Sequence, residues 1–183
     1  MSPERKGKKT HRVGQFDFLL RLMNFYRNEA DKCGRAGAYF AGCIVLGAAI
    51  EASLLAMVKC YPEKVKKTKT YQRKNQPPYD LNLYDLLKIA IELGWIPSKL
   101  PLDKTARTSG LSSDYALSKG DVGYFVDVAR EIRNLVHPGK HVKLWKGVRI
   151  SKGYYQFCHE LTDVVIDHLV EKVEESLRRS MKK

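Results

Sequence analysis

The stretch from Ala36 to Val58 reads AGAYFAGCIVLGAAIEASLLAMV and decides the fold. It is apolar nearly all round and rich in glycine and alanine, which let neighbouring helices approach closely. Its length would suit a membrane span, but Glu51 lies within it, and a charge at the centre of a span costs about 3 kcal/mol. We therefore predict a buried core helix, from about Ala38 to Cys60, and no membrane partner.

Four further stretches with helical periodicity flank this core helix and predict an all-α fold class. They run from about Gln15 to Asp31, Asn82 to Gly94, Asp121 to His137 and Gly153 to Arg179. Asn82, or alternatively Asp80, is a good N-cap, and Pro138 ends the fourth helix because it disfavours the α conformation in the residue before it. The prediction is a compact bundle of about five helices around a central hydrophobic helical hairpin.

Each predicted helix carries an apolar stripe that should face the core. The inward residues are expected to be Phe18, Leu19, Leu22, Phe25 and Tyr26 on the first helix, Leu83, Leu86, Leu87, Ala90 and Ile91 on the third, and Phe157, Leu161, Val164, Val165, Leu169 and Val173 on the last. No internal repeat and no second hydrophobic block interrupts the chain. Residues 13–183 are therefore expected to form a single domain.

Basic residues dominate two segments outside these helices. Residues 1–12 are charged and nearly free of hydrophobic side chains, which predicts a disordered basic tail. Residues 62–79 are expected to be an extended, hydrated basic linker. The cations expected to bind nucleic acid are Lys64, Lys66, Lys67, Lys69, Arg73 and Lys74 in this linker, and Lys140 and Lys143 after the fourth helix. Tyr71, Tyr79 and Tyr84 could stack on bases, although ordinary surface aromatic residues are the simpler interpretation.

The overall charge points to a polyanionic partner. The formal net charge is +13 and the pI is about 9.6, which favours RNA, DNA or an anionic membrane surface. The four cysteines lack metal-binding spacing and are expected to be reduced core thiols, so no metal and no cofactor is expected. The charged N-terminus lacks the apolar segment of a secretory signal. These features predict a cytoplasmic protein.

The fourth helix carries the residues best suited to chemistry. At about 100° per residue, Arg130, Arg133, Asn134 and His137 fall within one quadrant beside the apolar stripe. This set suits metal-independent phosphoryl transfer on RNA, in which a ribose 2′-OH attacks the adjacent phosphate. Histidine can act as general acid or base, and arginine can bind the phosphoryl oxygens as their charge grows. The asparagine can orient the imidazole or hold a phosphate oxygen.

The same four residues also have a purely structural interpretation. Arg133 can pair with a buried carboxylate, for which Glu51 is the obvious candidate. His137 can stabilise the helix C-terminus, and Asn134 can bond to the backbone of the following turn. The remaining helical histidines, His159 and His168, are expected to be surface or satisfied core residues.

The stretch Arg130-Glu-Ile-Arg133-Asn134-Leu-Val-His137-Pro138-Gly139 resembles the signature helix of the HEPN superfamily. The family pattern is an arginine, often followed by asparagine, with four to six residues before a histidine. Arg133 and Asn134 match the Arg-Asn pair, with three residues before His137, and Arg130 matches the spacing of six. The apolar helix that carries Glu51, and a third helix that ends in Leu-Gly-Trp, are also similar.

This resemblance implies a small, usually dimeric, α-helical domain that acts as a metal-independent endoribonuclease in toxin–antitoxin or phage-defence systems. It implies that His137 is the general acid or base, that Arg130 and Arg133 are phosphate ligands and that Asn134 orients them. Glu51 would hold an arginine of the neighbouring helix. The implied partners are RNA, a second copy of the chain, and an acidic antitoxin or a nucleotidyltransferase. The alternative is an inactive module of the same fold that binds nucleic acid, a nucleotide or a protein.

Overall fold

The computed structural model describes residues 4–97 and 150–181. Within these two ranges the chain forms six α-helices and one short 3-10 turn, and no strand. The helices are α1 (Glu4–Arg35), α2 (Tyr39–Cys60), α3 (Pro62–Val65), α4 (Lys69–Lys74), α5 (Leu83–Glu92) and α6 (Lys152–Met181), and the 3-10 turn is Pro78–Asp80. The predicted all-α fold class is therefore confirmed, whereas the fourth predicted helix lies outside the described residues.

The central element is α2, which packs against α1, α5 and α6. The chain reverses between α1 and α2 at Gly37, whose φ of 71° lies in the left-handed region that glycine adopts without strain. Two further glycines make room for the ring of Tyr155 on α6. A Cβ atom at Gly34 or at Gly42 would lie 2.6 Å from that ring. The absence of a side chain at Gly34 and Gly42 thus allows α6 to approach the α1–α2 hairpin.

Burial on several sides explains why α2 can be apolar nearly all round. By length and composition alone it could cross a membrane, and within the described ranges no other helix could. In the structure, however, 61% of its apolar window is buried by the rest of the chain. Leu46, Leu54 and Met57 are among its fully buried side chains, so α2 is the core helix that its sequence predicts.

The helices α5 and α6 match their predicted stripes closely. Asn82 caps α5 by accepting a hydrogen bond from the backbone N–H of Asp85 at 3.0 Å, and Gly94 follows the helix with a φ of 64°. The buried residues include Leu83, Leu86, Leu87 and Ala90 on α5 and Phe157, Leu161, Val165 and Leu169 on α6. Ile91, Val164 and Val173 are partly buried against the same core.

The first helix differs from its prediction in length and in the face that it buries. It begins at Glu4 rather than near Gln15, so it includes most of the segment expected to be a tail. Phe18 and Phe25 are 59% and 55% exposed, so their predicted burial is wrong. From Gly14 onward, where its side chains are described, α1 buries Leu19, Met23 and Ala30, because α2 packs against the flank of the stripe that these residues occupy.

Residues 62–79, named the basic arm from here on, are folded rather than extended. They contain α3, α4 and the start of the 3-10 turn, and Val65, Thr68 and Thr70 are buried. The prediction of an extended linker is wrong, because the segment forms two helices and buries these three uncharged side chains, while the lysines between them remain hydrated at the surface.

The cysteine prediction is only partly correct. Cys43 and Cys158 are buried in the core, but Cys33 is half-buried and Cys60 is exposed at the end of α2. All four are free thiols, and burial together with a hydrogen bond involving Cys43 raises the pKa of Cys158 well above its ordinary value.

Candidate functional site

The residues predicted to be catalytic lie outside the described part of the chain. These are Arg130, Arg133, Asn134 and His137, and the predicted nucleic-acid ligands Lys140 and Lys143 lie there too. Their predicted supporting residue, Glu51, is half-buried on α2, where it has an interaction partner. The assignment of these residues to a catalytic centre stays a prediction.

The basic arm contains the predicted nucleic-acid ligands that the structure describes. Its second helix, α4, is held at its N-terminus by Glu92. One carboxylate oxygen of Glu92 accepts the backbone N–H of Lys69 at 2.7 Å. The other accepts the backbone N–H of Thr70 at 3.2 Å and also the Thr70 hydroxyl. An acidic group at this place satisfies first-turn N–H groups that have no acceptor within the helix.

The cap of α4 is completed by Thr68. Its Oγ1 accepts the backbone N–H of Tyr71 at 3.3 Å and donates to the carbonyl of Val65 at 2.7 Å. The side chain is only 5% exposed. Threonine at this position therefore links the end of α3 to the start of α4 in addition to capping the helix.

The C-terminal end of α4 is held by Asp85, which lies in the first turn of α5. Lys74 Nζ lies 2.9 Å from Asp85 Oδ2, and the carboxylate side chain is only 1% exposed. Within the described ranges the Asp85 carboxylate accepts no hydrogen bond, so this ion pair is what compensates its buried charge. Lys74, predicted to bind nucleic acid, is thus occupied in holding the arm.

Four other cations of the arm are exposed at the surface, where the Nζ of Lys64 lies 5.0 Å from the ring centroid of Tyr61. Lys64, Lys67, Lys69 and Arg73 are exposed, and none of them pairs with a carboxylate in the part of the chain that the structure describes. Lys66 differs, because its Nζ lies 2.9 Å from Glu63 Oε1. The folded arm therefore presents a set of uncompensated positive charges, which is what binding to a polyanion requires.

Two of the three tyrosines predicted to stack on bases, Tyr79 and Tyr84, are already partnered by lysines. Lys59 Nζ lies 4.0 Å from the ring centroid of Tyr79, and Lys88 Nζ lies 4.3 Å from that of Tyr84. Each ring therefore has one face covered by an ammonium group. This arrangement places more positive charge beside the arm and leaves fewer ring faces for stacking on bases.

A second polar feature, which the sequence did not predict, is a cleft of about 730 Å³ where the C-terminal part of α1 meets the N-terminal part of α6. Its lining includes Asp31, Tyr39, Tyr155, His159 and Asp163. At its base the hydroxyl of Tyr155 donates to the carbonyl of Ala30 at 2.9 Å, and burial raises the pKa of Tyr155 to about 12.

His159 is the centre of a charged chain that bridges α1 and α6 along this cleft. Its Nε2 lies 2.8 Å from Asp31 Oδ1, and its Nδ1 lies 3.0 Å from Asp163 Oδ2. Arg27 pairs with the other oxygen of Asp163. The hydrogen bond to Asp163, aided by Asp31 and opposed by burial, raises the pKa of His159 to about 9. Burial raises the pKa of Asp163, but His159 and Arg27 outweigh burial and hold it below its ordinary value.

These pKa values decide what the His159 cluster can do. At neutral pH the imidazole is protonated and both of its nitrogens donate to carboxylates, so it cannot serve as a general base. The cluster is a clamp between two helices. The sequence contains a signal for one contact only, because His159 and Asp163 are four residues apart on α6. The contacts with Asp31 and Arg27 depend on the packing of α1 against α6.

Within the described residues no group of three or more histidine, cysteine, aspartate or glutamate side chains has the arrangement of a metal site. Comparison with known proteins gives no further guidance, because no family model, no curated protein and no solved structure matches this chain.

Proposed function

We propose that this chain is an RNA-directed, HEPN-like helical domain with metal-independent endoribonuclease activity. The single observation that carries the RNA part is the folded basic arm, with exposed and uncompensated Lys64, Lys67, Lys69 and Arg73. The formal net charge of +13 supports it, because a chain with this excess of cations attracts polyanions over a long range.

The ribonuclease part of the proposal rests on the sequence Arg130 to Gly139. In the proposed reaction the 2′ oxygen of a ribose attacks the adjacent phosphorus while His137 takes its proton. The bond to the 5′ oxygen breaks, and that oxygen receives a proton from a general acid, for which a second copy of His137 in a homodimer is the candidate. Arg130 and Arg133 would bind the phosphoryl oxygens, and Asn134 would orient the imidazole.

The experiment is incubation of single-stranded RNA with the purified full-length protein in EDTA, beside the variants His137→Ala and His168→Ala. His168 is a suitable control because it is a histidine on α6 that pairs with Glu171 and has no role in the proposed reaction. We expect cleavage by the wild type and by His168→Ala, and none by His137→Ala. Cleavage that required a divalent ion would contradict the proposed mechanism, and cleavage that survived His137→Ala would contradict the assigned residue.

A second candidate function is RNA binding without cleavage. The observation that favours it is the imperfect spacing of the motif. Arg133 is followed by an asparagine but has only three residues before His137, whereas Arg130 has the family spacing of six but is not followed by an asparagine. No single arginine therefore matches both parts of the family pattern. This candidate predicts salt-sensitive binding with no product. A toxin–antitoxin or phage-defence role, and an acidic or nucleotidyltransferase partner, are further proposals that the resemblance alone supports.

A further inference from the structure

We propose that α5 is the template that holds the basic arm in its RNA-binding form, with Glu92 and Asp85 as the two positioning residues. This inference rests on the proposed function, because it assigns both carboxylates a role in RNA binding although neither would touch RNA.

A helix as short as α4 does not form without external support. It has six residues, whereas isolated helices shorter than about 12 residues are marginal in water. Its first three N–H groups are all satisfied from outside the helix, those of Lys69 and Thr70 by Glu92 and that of Tyr71 by Thr68. Two of these three acceptor contacts come from α5, more than twenty residues further along the chain.

The two contacts with α5 lie at opposite ends of α4, which fixes both its position and its direction. Glu92 is the last residue of α5 and binds the first turn of α4, while Asp85 lies in the first turn of α5 and binds Lys74, the last residue of α4. The two helices therefore run antiparallel. Removing either carboxylate loosens the attachment of one end of α4 to α5 and leaves the other end attached.

The attachment determines which side chains α4 presents. Thr70 and Lys74 are four residues apart and lie on the side of the helix that faces α5. Lys69 and Arg73 are also four residues apart, so they lie together on an adjacent side, where both are exposed. Neighbouring cations with a fixed separation bind successive phosphates at a smaller entropic cost than cations on a mobile segment.

Replacing either carboxylate distinguishes positioning from simple electrostatics, because the two effects have opposite signs. Glu92→Gln and Asp85→Asn each remove one negative charge next to a cationic surface. If charge alone governed binding, both variants would bind RNA more tightly. If the two carboxylates position the arm, both variants bind more weakly despite their higher net charge.

The experiment measures binding of a fluorescent 2′-O-methyl uridine oligonucleotide by anisotropy, over a range of salt concentrations, with the full-length protein. This probe lacks the 2′-OH nucleophile, so it is bound without being cleaved. The matched control is Asp80→Asn, which makes the same charge change one residue beyond the arm, at an exposed carboxylate that makes no polar contact with α4 in the described part of the chain.

For Glu92→Gln we expect affinity to fall about tenfold at low salt, and the slope of log Kobs against log salt to become shallower by about 1.4, as for two lost phosphate contacts. Asp80→Asn should bind at least as tightly as the wild type. Hydrogen exchange of the Lys69 and Thr70 amides without RNA should be faster in Glu92→Gln, with the amides of α2 unchanged.

Two results would overturn the inference in distinguishable ways. If the wild type binds and Glu92→Gln binds equally well or more tightly, the positioning role is wrong while the proposed function stands. If the wild type itself does not bind, the proposed function fails and the inference fails with it. Glu92 is exposed, so Glu92→Gln keeps the test valid even if Asp85→Asn, at a buried site, does not fold.

Discussion

Replacing His159 by glutamine removes the imidazolium that joins Asp31 on α1 to Asp163 on α6. The pKa of His159 is raised from 6.5 to about 9, and each tenfold change in proton affinity corresponds to about 1.4 kcal/mol. Without screening, the clamp would contribute about 3 kcal/mol to the free energy of unfolding. The side chains of His159, Asp31 and Asp163 are 30%, 42% and 34% exposed, so we discount this value for solvent screening to about 1.5 kcal/mol.

The contribution of His159 depends on pH with a defined sign. The pKa is higher in the folded state, so the stabilisation is fully present below pH 6.5 and is lost as the pH rises through about 9. Urea unfolding of the wild type and of His159→Gln at about pH 6 and at about pH 10 measures this effect as the change in their stability difference. Comparing the two proteins at each pH cancels the titration of the other groups.

We expect the free energy of unfolding of the wild type to exceed that of His159→Gln by about 1.5 kcal/mol at the lower pH and by much less at the higher pH. His168→Gln is the control, because the Nδ1 of His168 lies 3.5 Å from a Glu171 carboxylate that is 66% exposed, and an ion pair of this kind contributes little. A stability difference for His159→Gln that did not change with pH would refute the assignment of a charged clamp.

Two further predictions concern stability and are checked by thermal or chemical denaturation. Gly42→Ala should destabilise the fold by about 1–3 kcal/mol, because its Cβ would lie 2.6 Å from the ring of Tyr155. The control is Gly47→Ala, which should be neutral or stabilising because its Cβ meets no atom of the described residues within 4 Å. Equal effects of the two substitutions on stability would contradict this packing. Asn82→Ala removes the N-cap of α5 and should cost about 1 kcal/mol, whereas no loss of stability would show that the cap does not support the helix.

The parts of the fold that depend on local chemistry could be predicted from the sequence. The start of α5 follows from the capping side chain of Asn82, and its end follows from Gly94, which takes a positive φ value. The bounds of α2 follow from an apolar stretch that breaks at Pro62. Each of these signals lies within a few residues of its effect.

The parts that depend on distant partners could not be predicted. The basic arm has the composition of a hydrated linker, but in the structure it buries Val65, Thr68 and Thr70, and Glu92 and Asp85 hold the two ends of α4. Asp31 and His159 are 128 residues apart in sequence, so the clamp becomes visible only when α1 and α6 are brought together. For α1, periodicity indicates an apolar side but not which flank of it α2 covers, and Phe18 and Phe25 are exposed for that reason.

The most direct test of the proposed function is mass spectrometry of the RNA ends produced by the full-length protein in EDTA. Attack by the 2′ oxygen leaves a 2′,3′-cyclic phosphate on one product and a 5′ hydroxyl on the other. We predict both ends with the wild type and neither with His137→Ala. RNA that stays intact at protein concentrations that saturate binding, or 5′ phosphate ends that appear only with a divalent cation, would contradict the account.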